Sequence, residues 1–128
     1  MLTAEQMAQK IEHTQLRPEA TPEDVDRLCD EACEFGFVGV CVNPVYVRRV
    51  SQRISTATAI RAGSASDRSV TAEPAIPSPR IISVAGFPLG ASLSATKADE
   101  ARRAIDDGAD EIDMVVALGE LIAGNHAA

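Results

Sequence analysis

The 128-residue sequence has no run of about 18 apolar residues, the length a membrane-spanning helix needs. Its opening, "MLTAEQMAQK", lacks the basic n-region and apolar h-region of an export signal, so neither a span nor secretion is expected. Basic residues are in deficit: 12 Lys and Arg stand against 19 Asp and Glu, for a net charge of -7. A nucleic-acid surface or an anionic membrane as partner needs a concentrated basic patch, so both are disfavoured. The balance is that of a soluble cytoplasmic protein. Cysteine is sparse and odd in number, with Cys29, Cys33 and Cys41 only. Without a second metal-type pair, a disulfide framework or a zinc site is not expected, and no metal or cofactor is implied. Cys29 and Cys33, four apart on an expected helix, read as small buried thiols. Lysine is scarcer still, at Lys10 and Lys97 alone.

What is present is alternation between two periods. With 45% hydrophobic and 24% charged residues, the chain reads as one globular domain over residues 1–128. A short extended segment is expected at residues 11–14. Then "TPEDVDRLCDEACEFG" offers Thr21 as a cap, Pro22 at the first helical position and acids in the first turn. Val25, Leu28, Cys29 and Ala32 fall on one helical face, and Gly36 is a natural stop. "FVGVCVNP" is a β-branched strand candidate over residues 37–42, and "PVYVRRVSQRI" returns to helical spacing. "RIISVAGFP" predicts a strand over 80–86, "SLSATKADEARRAIDDG" a helix, and "DEIDMVVAL" a strand over 111–116. One stretch breaks the rhythm: residues 56–79, rich in Ala, Ser, Thr and Pro, read as an exposed, flexible insertion.

Strand alternating with helix predicts an α/β fold with a parallel sheet, open or closed into a barrel. Parity favours the barrel. Val38, Val40 and Val42 alternate with Gly39, Cys41 and Asn43, Ile82 and Val84 with Ser83 and Ala85, and Ile112 and Met114 with Glu111 and Asp113. In each strand one face reads as β-branched or apolar and the other as small or polar, and Ile11 and His13 against Glu12 and Thr14 follow suit. An open doubly wound sheet wants both faces apolar, whereas a barrel tolerates polar groups inside its mouth. Glu12, Thr14, Cys41, Asn43 and Asp113 then gather towards the C-terminal strand ends, where barrel sites are built. His13 lies on the outward parity and reads as a packed imidazole. "GFPLGAS" lacks the lysine of a P-loop and the glycine spacing of a dinucleotide fold.

Four stretches, "KIEHTQLRPEAT", "CVNP", "GFPLGA" and "GADEIDMV", resemble in order the N-terminal half of the deoxyribose-phosphate aldolase family. The resemblance implies a TIM (β/α)8-barrel of which this chain carries about the first four βα units. It implies a class I aldolase that cleaves 2-deoxy-D-ribose 5-phosphate to D-glyceraldehyde 3-phosphate and acetaldehyde in deoxyribose catabolism, without a cofactor. Asp113 would be the acid/base aspartate, Cys41 would line the substrate pocket, and Phe87 and Leu89 would be its apolar lining. Glu12 stands where the family usually has aspartate, and Thr14 and Asn43 would complete the pocket.

Such chemistry needs a lysine at the C-terminal mouth. Lys10 precedes the first strand and Lys97 falls in a helix, where both read as solvent-type lysines. The chain alone is therefore expected to be an incomplete enzyme. The alternatives are a half-barrel that assembles with itself or with a C-terminal half, and a non-catalytic domain that binds a phosphorylated sugar without turnover.

Overall fold

The computed structural model describes residues 1–64 and 77–125. Its elements alternate along the chain: α1 (Ala4–Ala8), β1 (Glu12–Gln15), α2 (Pro22–Phe35), β2 (Gly39–Val42), a 3-10 turn at Pro44–Tyr46, α3 (Val47–Ser64), β3 (Arg80–Ala85), α4 (Ser94–Asp106), β4 (Glu111–Met114) and α5 (Leu118–Ile122). The strands form one sheet in the order β1-β2-β3-β4, every neighbouring pair parallel. No helix among the described residues is long and apolar enough to cross a membrane.

The best-determined helix is α2, because its ends are written into the sequence. The Thr21 hydroxyl accepts from the Asp24 N–H while the Asp24 carboxylate accepts from the Thr21 N–H, a reciprocal cap. Pro22 opens the first turn, and Gly36 closes the helix in the left-handed region at φ 68°. Its buried face, Val25, Leu28, Cys29 and Ala32, packs with Val47, Val50 and Ile54 of α3 onto Val40 and Val42 of β2 and Ile81 of β3. Ala104 of α4 and half-buried Ile112 of β4 continue the same core. Two forked ion pairs, Arg49–Asp26 and Arg53–Asp30, cross the α2–α3 seam at 2.7–2.9 Å. They are exposed, so burial supplies most of the cohesion.

The core therefore lies on one side of the sheet only. In register, His13, Val40, Ile81 and then Val42, Ser83, Ile112 form rows that share the helix-covered face. Thr14, Cys41, Ile82 and then Val84, Asp113 share the other, where Cys41, Ile82 and Val84 form a small apolar cluster with Leu16. A parallel sheet with helices on one face is a section of barrel wall.

Four sequence expectations need correction. In β3 the parity is reversed: Ile82 and Val84 point away from the helices, and Ile81, Ser83 and Ala85 face them. Ser83 is fully buried there, its hydroxyl donating to the Val84 carbonyl, so a polar residue sat on the covered face without an alternation signal. The stretch 56–79 does not begin as a loop, because α3 continues through Ser64. Alanine and threonine lack an apolar stripe but still propagate a helix once its first turns are packed. Residues 65–76 of that stretch lie outside the described residues. Helix α1 was not foreseen, although Thr3 and Gln6 form a capping box at its start. Three strands are also shorter than expected, with β2 starting at Gly39, β3 stopping at Ala85 and β4 at Met114, while β1 is shifted by one residue to Glu12–Gln15.

The turn after β3 folds against the end of β4. Gly90 lies at φ 65°, and a Cβ there would sit 2.0 Å from the Val116 carbonyl oxygen. Gly90→Ala should therefore destabilise the chain by about 2 kcal/mol or more in urea unfolding. Gly119, with nothing within 4 Å of an added Cβ, should accept alanine without loss. Equal midpoints for the two variants would mean that the turn does not press on Val116.

Candidate functional site

The uncovered face carries the polar residues of the sheet, and strand pairing decides their neighbours. Thr14 of β1 lies opposite Cys41 of β2, which lies opposite Ile82 of β3. Asp113 of β4 lies opposite Val84, two residues further along β3. Glu12 is on the same face, opposite Gly39. An added Cβ at Gly39 would lie 2.5 Å from Ile82 Cδ1, so glycine makes room there for the apolar floor. Asn43 directly follows β2 in extended conformation, and its carbonyl accepts from the Tyr46 N–H at 3.0 Å.

The three acids around β4 have different fates. The Asp110 carboxylate accepts from the Ile81 N–H at 2.8 Å while its own N–H donates to the Ile81 carbonyl at 2.8 Å, which fastens β4 to β3 at its start. Glu111 pairs with Arg80 across the same two strands. Asp113, nearest the C-terminal ends, is exposed and has no hydrogen bond or ion pair among the described residues. It is the carboxylate left available to a ligand.

The Cys41 thiol feels both its burial and the acids of the uncovered face. Burial pushes the Cys41 thiol up to about 11, the carboxylates of Asp113 and Glu12 push in the same direction, and a hydrogen bond with Thr14 opposes them. Residues of β1 and β4 thus act on one sulfur of β2. A thiol held protonated is a poor nucleophile, and at 4% exposure Cys41 is a closed, weakly polar side chain.

Phe87 and Leu89 occupy the turn after β3, between Gly86 at φ 68° and Gly90, whose N–H donates to the Gly86 carbonyl at 2.8 Å. Both side chains are exposed, at 43% and 74%, at the same end of the sheet as Asp113. His13 is on the covered face as expected, its Nε2 2.6 Å from a Glu31 carboxylate oxygen and its ring edge-on to Phe37.

Lys97 departs from expectation. It is 6% exposed rather than solvated, and its ammonium donates to the Val115 carbonyl at 2.8 Å. A sequence signal existed: Lys97 precedes Ala101 and Ala104 at helical spacing, in line with the buried stripe of α4. Lys10 is exposed and precedes β1, at the opposite end of the sheet from Asp113.

Comparisons with known proteins bear on the fold and the family. No family model matches the chain. A deoxyribose-phosphate aldolase from Thermococcus gammatolerans is 41% identical over 120 residues, 94% of this chain and 45% of that protein. One from Caldicellulosiruptor saccharolyticus is 38% identical over 124 residues, 97% of this chain and 47% of that protein. The tetrameric deoxyribose phosphate aldolase structure from Aeropyrum pernix superposes with a TM-score of 0.69 at 32% identity, covering 91% of this chain and 42% of that one. The chain spans about half the length of the curated relatives it matches.

The raised thiols give a pH prediction. In the folded chain Cys41 lies at about 11 and Cys29 at about 12, above an unfolded thiol near 8.5. Their contribution to stability is complete below about pH 8.5 and is lost as pH rises through the folded values. The thermal midpoint should fall progressively from about pH 8.5 upward, and Cys41→Ser should flatten part of that fall. At pH 8, alkylation of Cys41 should run about two orders of magnitude slower than that of a free thiol. Rapid alkylation in the folded chain would contradict the closed environment.

Proposed function

We infer that this chain, which corresponds to the N-terminal half of the deoxyribose-phosphate aldolases, supplies the first four βα units of a cytoplasmic class I aldolase for 2-deoxy-D-ribose 5-phosphate. The observation that carries the inference is the unpartnered Asp113 carboxylate, gathered with Cys41, Glu12 and Thr14 at the uncovered face of a one-sided parallel sheet. In retro-aldol cleavage an imine on C1 of the sugar draws in the electrons of the C2–C3 bond as the C3 hydroxyl loses its proton. Glyceraldehyde 3-phosphate departs, and the enamine left behind is protonated at C2 and hydrolysed to acetaldehyde. Asp113, working through a water, would carry protons at the carbinolamine and enamine stages. Cys41, Thr14, Asn43 and Glu12 would bound the pocket, with Phe87 and Leu89 at its rim.

The imine-forming amine is not a lysine of this segment. Lys10 is exposed at the far end of the sheet, and Lys97 is buried with its ammonium engaged. The amine would come from the part of the barrel that this segment does not include, which would pair with the open edges of β1 and β4.

Borohydride trapping tests this reading. The 128-residue chain incubated with acetaldehyde should gain no adduct at either lysine. Adding a C-terminal half from a deoxyribose-phosphate aldolase should give an adduct on the added half and sugar-phosphate cleavage. In that mixture Asp113→Asn should lower turnover by about two orders of magnitude or more while leaving the fold intact. Efficient trapping on Lys10 or Lys97, or undiminished turnover with Asn at position 113, would overturn it.

A further inference from the structure

Lys97 is the only buried charged side chain among the described residues, and no carboxylate there forms an ion pair with it. Desolvating an ammonium for one carbonyl is unfavourable compared with placing an apolar side chain of the same length in the same space. Packing alone therefore does not account for a lysine here. What it holds is specific: the carbonyl of Val115, two residues beyond Asp113, at 2.8 Å. The stem of Lys97 runs beneath Gly86, so close that an added Cβ would lie 3.1–3.2 Å from its methylenes. One turn later on α4, Glu100 accepts from the Gly86 N–H at 2.7 Å. Gly86 is the residue that follows β3, and Val115 the one that follows β4. One helix face thus grips the C-terminal ends of two adjacent strands through two charged side chains.

We propose that Lys97 and Glu100 are positioning residues, a clamp on α4 that fixes the end of β4 against the end of β3 and so holds the Asp113 carboxylate in place on the uncovered face, across β3 from Cys41. The inference builds on the reading of Asp113 as the working acid but concerns its placement, which can be measured without turnover. Neither residue touches the uncovered face, so the effect passes through the strand ends. Lys97→Met keeps the stem under Gly86 and removes the charge. Glu100→Gln keeps the shape and weakens the grip on the Gly86 N–H.

The Cys41 thiol serves as the reporter, because Asp113 is one of the charges that hold it protonated. Alkylation of Cys41 by a neutral iodoacetamide, followed at pH 8.5 by peptide mass spectrometry, should accelerate about two- to fivefold in Asp113→Asn, since thiolate fraction rises when a nearby negative charge is removed. Lys97→Met should accelerate it by a similar factor, and the Lys97→Met/Asp113→Asn double variant should be no faster than either single variant. The thermal midpoint of Lys97→Met should match or exceed that of the wild type, which a merely structural lysine would not allow. Glu100→Gln should show the same non-additivity with a smaller effect, and it carries the test if Lys97→Met does not fold. Wild-type alkylation rates in the clamp variants, or acceleration that multiplies with that of Asp113→Asn, would overturn the clamp: the first means Asp113 has not moved, the second that the site has merely opened. Failure of the aldolase reading would leave these rates unchanged.

Discussion

A parallel strand satisfies its backbone through its neighbours but still presents two rows of side chains, and here helices cover only one of them. That one-sidedness governs the rest of the molecule. The covered row is apolar and packs with α2, α3 and α4 into a continuous core. The other row has only the small cluster of Cys41, Ile82, Val84 and Leu16, and polar residues can occupy it without being buried unpaired. A doubly wound sheet of this length would have no room for an unpartnered Asp113. A barrel wall does, because its inner surface becomes the floor of a cavity.

The acids of β4 illustrate how position along a strand sets a role. Asp110 and Glu111 lie near the start of the strand, where they spend their charge on pairing with β3, through the Ile81 backbone and the Arg80 guanidinium. Asp113 lies beyond them with no such partner. The same carboxylate chemistry is engaged in strand pairing at one end of β4 and left unpaired at the other. The turn after β3 adds its own constraint, since Gly86 and Gly90 let the backbone lie close to the Lys97 stem and to Val116. Asp113 lies near these constrained C-terminal ends of β3 and β4.

The open flanks of the sheet bear on how the chain works. Near β4, Met114, Val116, Leu118, Leu121 and Ile122 are all about half exposed or more, and β4 is a terminal strand of the sheet. Unpaired edges with apolar neighbours invite further strands, which is consistent with a sequence that covers about half of the relatives it matches.

The sequence by itself determined the order of elements from β1 to β4, because helix caps, glycine stops and β-branched runs are local signals. Thr21, Pro22 and Gly36 bounded α2 to the residue. It also determined that Glu12 and Thr14 share one face of their strand, and Glu111 and Asp113 one face of theirs, since alternation within a strand needs no partner. The resemblance of its four motifs to an aldolase family pointed to the same residues. Tertiary structure decided the rest. Which row of β3 met the helices depended on register with β2, and a buried Ser83 and an inward Ile82 look alike to a pattern that sees only hydrophobicity. How far α3 runs past its apolar stripe depended on helix propagation from packed turns. The fate of Lys97 depended on a carbonyl 18 positions away in sequence and 2.8 Å away in space. Charge and period are written along the chain, whereas the partners that turn a charge into a clamp, a pair or a free acid exist only once the strands are side by side.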